Sequence, residues 1–366
     1  MSHLPMTSLD RLVAALEGEP LDYLPFSPFL AYVWQSFPEE VQAEGQLAFL
    51  QSIGADPLWR GAACAVNAVL PEVATKRWEE GDRIYEDTIT PVGTLHREWL
   101  RTDEAGEQTA FLVRHPLHTE ADYRTQMWIE ENTRMALDLA PVQEHLATDG
   151  SDGLSIGMLI PRGKSAFQSL IEHYAGTEEL NYHLMDFPSA VQDLWETMVA
   201  KDLEAVELSL QAPYTCFLTW EDSGTQNYSP RQYDRYIGTE IQQWCDLLAT
   251  DGKRYIQHAC GHVRDLVLRM KHHGAFGIES ISPPPTGNIS IADARAQVGS
   301  DFGIIGGIEP TLFLHKTMDE MVPYVHQVIE EGLGGPFILA NSDSCPPGVT
   351  VEKYALVAQL AREYKL

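Results

Sequence analysis

Basic side chains are scarce: Lys and Arg number 25 against 53 Asp and Glu in 366 residues, a formal net charge of -28. That deficit removes the electrostatic footing for a phosphate backbone or an anionic bilayer, so nucleic-acid and membrane partners are excluded. No run of about 18 apolar residues occurs, and Met1-Ser2-His3-Leu4-Pro5 has neither a charged n-region nor an apolar h-region, so we expect a soluble, cytoplasmic protein. Cysteine is sparse as well. The five at 64, 216, 245, 260 and 345 form an odd, scattered set, unlike a secreted disulfide framework, and in a reducing compartment such thiols stay available as ligands. Cys64 and Cys245 have apolar neighbours and read as small core residues; Cys216 stays open between core and site, because Tyr214-Thr215-Cys216-Phe217 reads as a strand approaching the site. No Gly-x-Gly-x-x-Gly follows a strand, which argues against an open dinucleotide-binding sheet.

What is present is a hydrophobic content of 44%, enough for one large core. From about residue 150 onward, short apolar runs alternate with amphipathic stretches, the pattern of repeated β-α units. Strands are predicted over 154–160, 215–220, 254–258, 276–280, 303–307 and 337–340. Helices are predicted over 190–210, 230–249, 263–272, 291–298, 318–331 and 351–363. With earlier strands at 24–29 and near 55–59, the expected fold is α/β: an eight-stranded parallel β/α (TIM) barrel, a single domain over residues 1–366. Residues 75–115 read as short strands joined by polar turns, an inserted antiparallel meander.

The densest chemistry lies in His258-Ala259-Cys260 together with Cys345 in Asn341-Ser342-Asp343-Ser344-Cys345-Pro346-Pro347-Gly348. Residues i and i+2 of a strand share a face, so His258 and Cys260 converge where their strand ends. Cys345 sits in the loop leaving another strand, and in a barrel those ends meet at one face. An imidazole and two thiols suit zinc, and three protein ligands leave a fourth position open for chemistry. Packed core residues remain the alternative for each. Glu279, a carboxylate in the apolar run Phe276-Gly277-Ile278-Glu279-Ser280, needs a cation nearby and is the candidate fourth ligand; a hydrogen-bonded structural acid is its other reading. Phe26, Phe29, Tyr32, Trp34 and Trp59 line either an aromatic substrate pocket or a satisfied core.

Several segments resemble the uroporphyrinogen decarboxylase superfamily, and within it the zinc-containing corrinoid methyltransferase branch. They are Arg11 to Pro25, Thr90-Pro91-Val92-Gly93-Thr94, Glu221-Asp222-Ser223-Gly224, Glu279 to Asn288 and Gly306-Gly307-Ile308. The resemblance implies a barrel in which His258, Cys260 and Cys345 hold zinc and a methyl group moves to or from a corrinoid carried by a separate protein. No Asp-x-His-x-x-Gly motif of base-off corrinoid domains occurs, in keeping with a separate carrier. The loop Phe26 to Gln35 contains no arginine, so the many carboxylates of a porphyrinogen find no bidentate partner there, which disfavours porphyrinogen decarboxylation. The aromatic residues favour a methoxylated aromatic as methyl donor and O-demethylation as the reaction. Glu221, Asp222 and Glu279 are the candidate acids for the departing oxygen. Transfer from a methylcorrinoid protein to a thiol of the coenzyme M kind, a metal-free lyase of the decarboxylase type, and a non-catalytic scaffold are the alternatives.

Overall fold

A computed structural model describes residues 5–102 and 109–364. The N-terminal reading over residues 1–4, and the part of the 75–115 meander at 103–108, lie outside the described residues. Contacts within the chain divide it into two compact units: 5–65, Leu139–Leu159 and 210–364 make the first, Val66–Asp138 and Ile160–Ser209 the second.

The first unit is an α/β assembly on a seven-stranded, all-parallel sheet. In spatial and chain order its strands are Leu58–Ala62, Leu154–Met158, Cys216–Thr219, Arg254–His258, Gly277–Ile281, Gly303–Ile308 and Phe337–Asn341. The last three are buried at every position, as expected of parallel strands covered on both faces, which is why they read in sequence as unbroken apolar runs. Side chains from successive strands build one core: Leu58, Leu154, Ile156, Leu218, Ile256, Ile305 and Ile338, with Leu12 and Leu16 of the helix Ser8–Glu17 packed against them. Cys216 belongs to this core at the start of its strand, and burial pushes its thiol up to about 11.

The expected eighth strand at 24–29 is not one among the described residues. Phe26 makes a lone parallel bridge to Leu339. Around it, Ser27 N–H donates to Leu339 O (2.9 Å), Leu339 N–H to Pro25 O (3.1 Å), and Asp56 N–H to Phe26 O (2.8 Å). The segment therefore bonds toward both edges of the sheet, but Pro25 and Pro28 each lack an N–H, and a longer ladder has no donors there. The result is a TIM-barrel-like sheet of seven strands with a bridging segment.

Two helix readings also shift. The expected 230–249 helix is Pro230–Gln232, a π-turn over Tyr233–Gly238 and Thr239–Ala249, and the 263–272 helix begins only at Val267.

The second unit contains a four-stranded antiparallel sheet, Ala74–Glu80, Arg83–Thr90, Gly93–Thr102 and Thr109–Arg114, paired in chain order. Helices Glu120–Asn132 and Pro188–Ser209 and a two-stranded ribbon of Val66–Val69 with Arg134–Leu137 complete it. No helix among the described residues is long and apolar enough to cross a membrane.

Ile256, fully buried at the middle of the parallel sheet, tests how far the seven strands share one core. Ile256→Ala removes a side chain whose surroundings are held by neighbouring strands, and we expect a loss of about 2–5 kcal/mol. Urea unfolding followed by far-UV circular dichroism measures it; a loss below about 1 kcal/mol would show that the site collapses freely.

Candidate functional site

Parallel register places the charged residues of the first unit together. His258 is the last residue of Arg254–His258, and its register partner on the next strand is Glu279. The His258 Nδ1 lies 2.5 Å from Glu279 Oε2, and the other carboxylate oxygen, Oε1, lies 2.8 Å from Nε of Arg60 on the first strand. Arg60 in turn donates from Nη2 to the Ser27 carbonyl at 2.8 Å. All three side chains are at most 4% exposed. The cation that Glu279 requires is thus a guanidinium, and Glu279 binds the back of the His258 ring.

With Nδ1 committed to Glu279, the Nε2 atom of His258 faces outward, 3.2 Å from Asp222 Oδ1. The Cys260 thiol donates to the same oxygen at 3.6 Å. One ligand atom each from Asp222, His258 and Cys260 lies within 4.8 Å of the others. Asp222 follows the strand Cys216–Thr219 and holds a positive φ of 44°, a conformation that short polar Asp tolerates better than most residues. A second carboxylate, Asp343 from the loop after Phe337–Asn341, also meets the Cys260 thiol. Asn341 anchors that loop: its Nδ2 donates to the carbonyls of Phe29 and Asp343, both at 2.8 Å, and its Oδ1 accepts from Phe29 N–H at 2.9 Å.

The electrostatics follow from burial. Desolvation works against a charged His258 ring, but the Glu279 carboxylate and hydrogen bonds to Asp222, Cys260 and Glu279 outweigh it and raise His258 well above the usual imidazole value. Burial pushes the Cys260 thiol up to about 11, against the pull of His258. It also raises Asp343, again opposed by His258. Nitrogen, sulfur and carboxylate oxygen converging on one point, with the imidazole oriented from behind by a carboxylate, is the donor set and support that zinc takes. A divalent cation held there would favour the thiolate form of Cys260 against the burial that raises its thiol.

An aromatic wall adjoins these donors. Trp220 meets the His258 ring edge-on with centroids 5.0 Å apart and stacks on Phe29 at 5.8 Å. It lies against Gly61, where a Cβ would come within 2.5 Å of the indole at a φ of +63°, so glycine is required on both counts.

Of the residues singled out in the sequence, the structure brings His258, Cys260 and Asp222 together, with Glu279 behind the imidazole and Phe29 at the wall. Cys345 is in the expected loop, but its thiol packs against Tyr354 and Asn341 and is pushed up to about 12 by burial. Glu221 accepts from Thr219 Oγ1 at 2.7 Å in a buried network with Tyr255. Phe26 is core, Trp34 packs on Phe37 and Phe49, and Tyr32 is 68% exposed. Trp59 donates to the Asp152 carbonyl at 3.1 Å and meets the His145 ring edge-on. Arg60, Trp220 and Asp343 went unread. The signal for Arg60 was available: a lone arginine in the strand Leu58–Ala62 and a lone glutamate in the apolar run around residue 279 each demand a buried counter-charge.

Arg60→Met strands the Glu279 carboxylate and should cost about 3–5 kcal/mol in urea unfolding, whereas Arg60→Met with Glu279→Gln should recover most of it. Equal losses in the single and double variants would show that the two charges are not coupled.

Residues 191–364 match the family profile described as Uroporphyrinogen decarboxylase (URO-D). No curated protein sequence matches the chain. Among solved structures, a methyltransferase from Methanosarcina mazei superposes with a TM-score of 0.63 at 12% identity, over 98% of this chain and 99% of that one. A B12-independent methionine synthase from Shewanella sp. W3-18-1, in complex with selenomethionine, gives a TM-score of 0.46 at 10% identity, over 93% of this chain and 97% of that one. Residues 191–364, the stretch that matches the uroporphyrinogen decarboxylase (URO-D) profile, supply Asp222, His258, Cys260 and Glu279, and the chain shares the fold of the Methanosarcina mazei methyltransferase.

Proposed function

We propose that this chain is a zinc-dependent methyltransferase of a corrinoid system, moving a methyl group from a methoxylated aromatic donor to the Co(I) centre of a separate corrinoid protein. The observation that carries the reading is the convergence of His258 Nε2, the Cys260 thiol and the Asp222 carboxylate within 4.8 Å, with Nδ1 of the same histidine tied to Glu279. The family match and a structural neighbour named a methyltransferase support the reaction class.

His258, Cys260 and Asp222 are the residues that would hold the metal. Cys345 is the further thiol that the family resemblance implies; in the structure it meets Tyr354 and Asn341 instead. Zinc bound there supplies Lewis acidity toward an ether oxygen, which improves the leaving group. The remaining work falls to side chains. Glu279 accepts the hydrogen bond from Nδ1–H of His258, which would fix the tautomer with Nε2 as the ligand atom turned to the metal position. Arg60 holds Glu279 in that pose and balances its charge. Trp220 and Phe29 offer stacked apolar faces against which an aryl ring can lie with water excluded. Asp343, half-buried and with its carboxyl raised by desolvation, is the acid we assign to return a proton to the departing oxygen.

Two measurements test this reading. Protein purified without chelator should carry stoichiometric zinc, lost in His258→Ala and Cys260→Ala, weakened in Asp222→Asn, and retained in Cys345→Ser if the third donor is the carboxylate; loss in Cys345→Ser would instead make the thiol the ligand. Methyl transfer to a Co(I) corrinoid protein, followed by visible absorbance, should proceed with a methoxyarene in a panel that also holds methanol, methylamines and methylthiols. Zinc-loaded protein inert toward the whole panel would sink the proposal. In the active pair, Trp220→Ala should raise KM for the aryl donor about tenfold, the worth of one ring-stacking contact, with a smaller change in kcat.

A further inference from the structure

The second unit holds a cavity of about 290 Å³ whose lining includes none of the residues of the His258 group. That volume is near the lower edge of small-molecule sites, about 300–1,000 Å³. Leu70, Ile129 and Met135 give it apolar walls, and Arg97, Gln126, Glu130, Arg162, His173 and Tyr174 provide its polar lining.

Most of those polar groups are spoken for. Arg162 is bidentate to Glu130, Nη1 to Oε1 at 3.1 Å and Nη2 to Oε2 at 2.8 Å, and its Nε reaches Asp202 at 3.1 Å. Glu130 Oε1 also accepts from Gln126 Nε2 at 2.9 Å. The arginine and the two acids are therefore mutually satisfied and add little net field.

Two groups are not. Gln126 is 2% exposed, yet its Oε1 has no hydrogen-bond partner among the described residues. Turning the amide over would place oxygen against the Glu130 carboxylate, so the unmet group is an acceptor in need of a donor. Among the described residues Arg97 makes a 3.4 Å hydrogen bond to Thr88 and a 3.7 Å ion pair to Glu86, both through Nη1, and its guanidinium lies 5.8 Å from the centroid of the Tyr174 ring. A guanidinium presents five N–H donors, so Nε and Nη2 remain for a ligand anion. Burial foremost, then Lys164, Arg97, His115 and Arg162, lowers His173 in the same lining.

We infer that this cavity is a binding site for a small carboxylate with an apolar body and one hydroxyl or amino donor. The carboxylate lies on Arg97, the donor satisfies Gln126 Oε1, and the apolar body packs on Leu70, Ile129 and Met135. The inference stands apart from the methyltransferase reading, since neither Arg97 nor Gln126 touches the His258 group.

The probes are 3- and 4-hydroxybenzoate, with benzoate lacking the donor and phenol lacking the anion, titrated calorimetrically into the full-length protein. At least one hydroxybenzoate should bind about tenfold tighter than benzoate and phenol, the worth of one buried acceptor satisfied. Arg97→Gln should weaken it tenfold or more and Arg97→Lys less so, because lysine keeps the charge and loses the fork. Gln126→Met should erase the advantage over benzoate, and His258→Ala should leave binding unchanged, with each fold checked by circular dichroism. Hydroxybenzoates that bind no better than benzoate, that ignore Arg97→Gln, or that are lost in His258→Ala would overturn the assignment. Should Gln126→Met fail to fold, the benzoate comparison and the Arg97 pair decide alone.

Discussion

A single buried relay, Arg60 to Glu279 to His258, organises the first unit. A guanidinium, a carboxylate and an imidazole from three strands of one sheet meet with almost no exposure to water. Taking any one of them out of solvent alone is prohibitive, and together they are stable only while the strands Leu58–Ala62, Arg254–His258 and Gly277–Ile281 hold their register. A slip of one residue would turn His258 or Glu279 to the opposite face.

The relay decides what the outer atoms can do. Because Glu279 claims Nδ1, the free nitrogen of His258 is Nε2, and that atom is the one near Asp222 and Cys260. The apolar side of the same space is shaped by backbone: Gly61 leaves room for the Trp220 indole, and Asn341 ties the segment of Phe29 to the loop that carries Asp343. Donors and wall are thus positioned by the ends of several strands, the arrangement that lets a barrel-like sheet assemble chemistry from residues far apart in sequence.

Much of this was legible from the chain. Parallel strands buried on both faces appear as apolar runs, and six of the predicted strands from residue 154 onward fall on observed ones. His258 and Cys260 were legible because both lie within two residues of a strand end, where local geometry alone makes them neighbours. Phe26, Tyr32, Trp34 and Trp59 were not separable from Phe29, since an aromatic ring has the same sequence signature in a core, on a surface and at a site. The segment at 24–29 read as a strand through its apolar residues, while its two prolines limit the hydrogen bonds it can donate.

What the sequence by itself determined is what depends on neighbours along the chain: the alternation of strands and helices, the acidic surface, and the pairing of an imidazole with a thiol at one strand end. What only the tertiary structure decided is which distant charges meet. Glu279 needs a cation on any reading of its strand, but whether that cation is a metal or Arg60, more than two hundred residues away, depends on sheet register. The same holds for the third donor. Asp222 and Cys345 both leave strand ends toward the same face, and a difference in loop path, invisible in composition or periodicity, sets the carboxylate beside Cys260 and turns the thiol toward Tyr354.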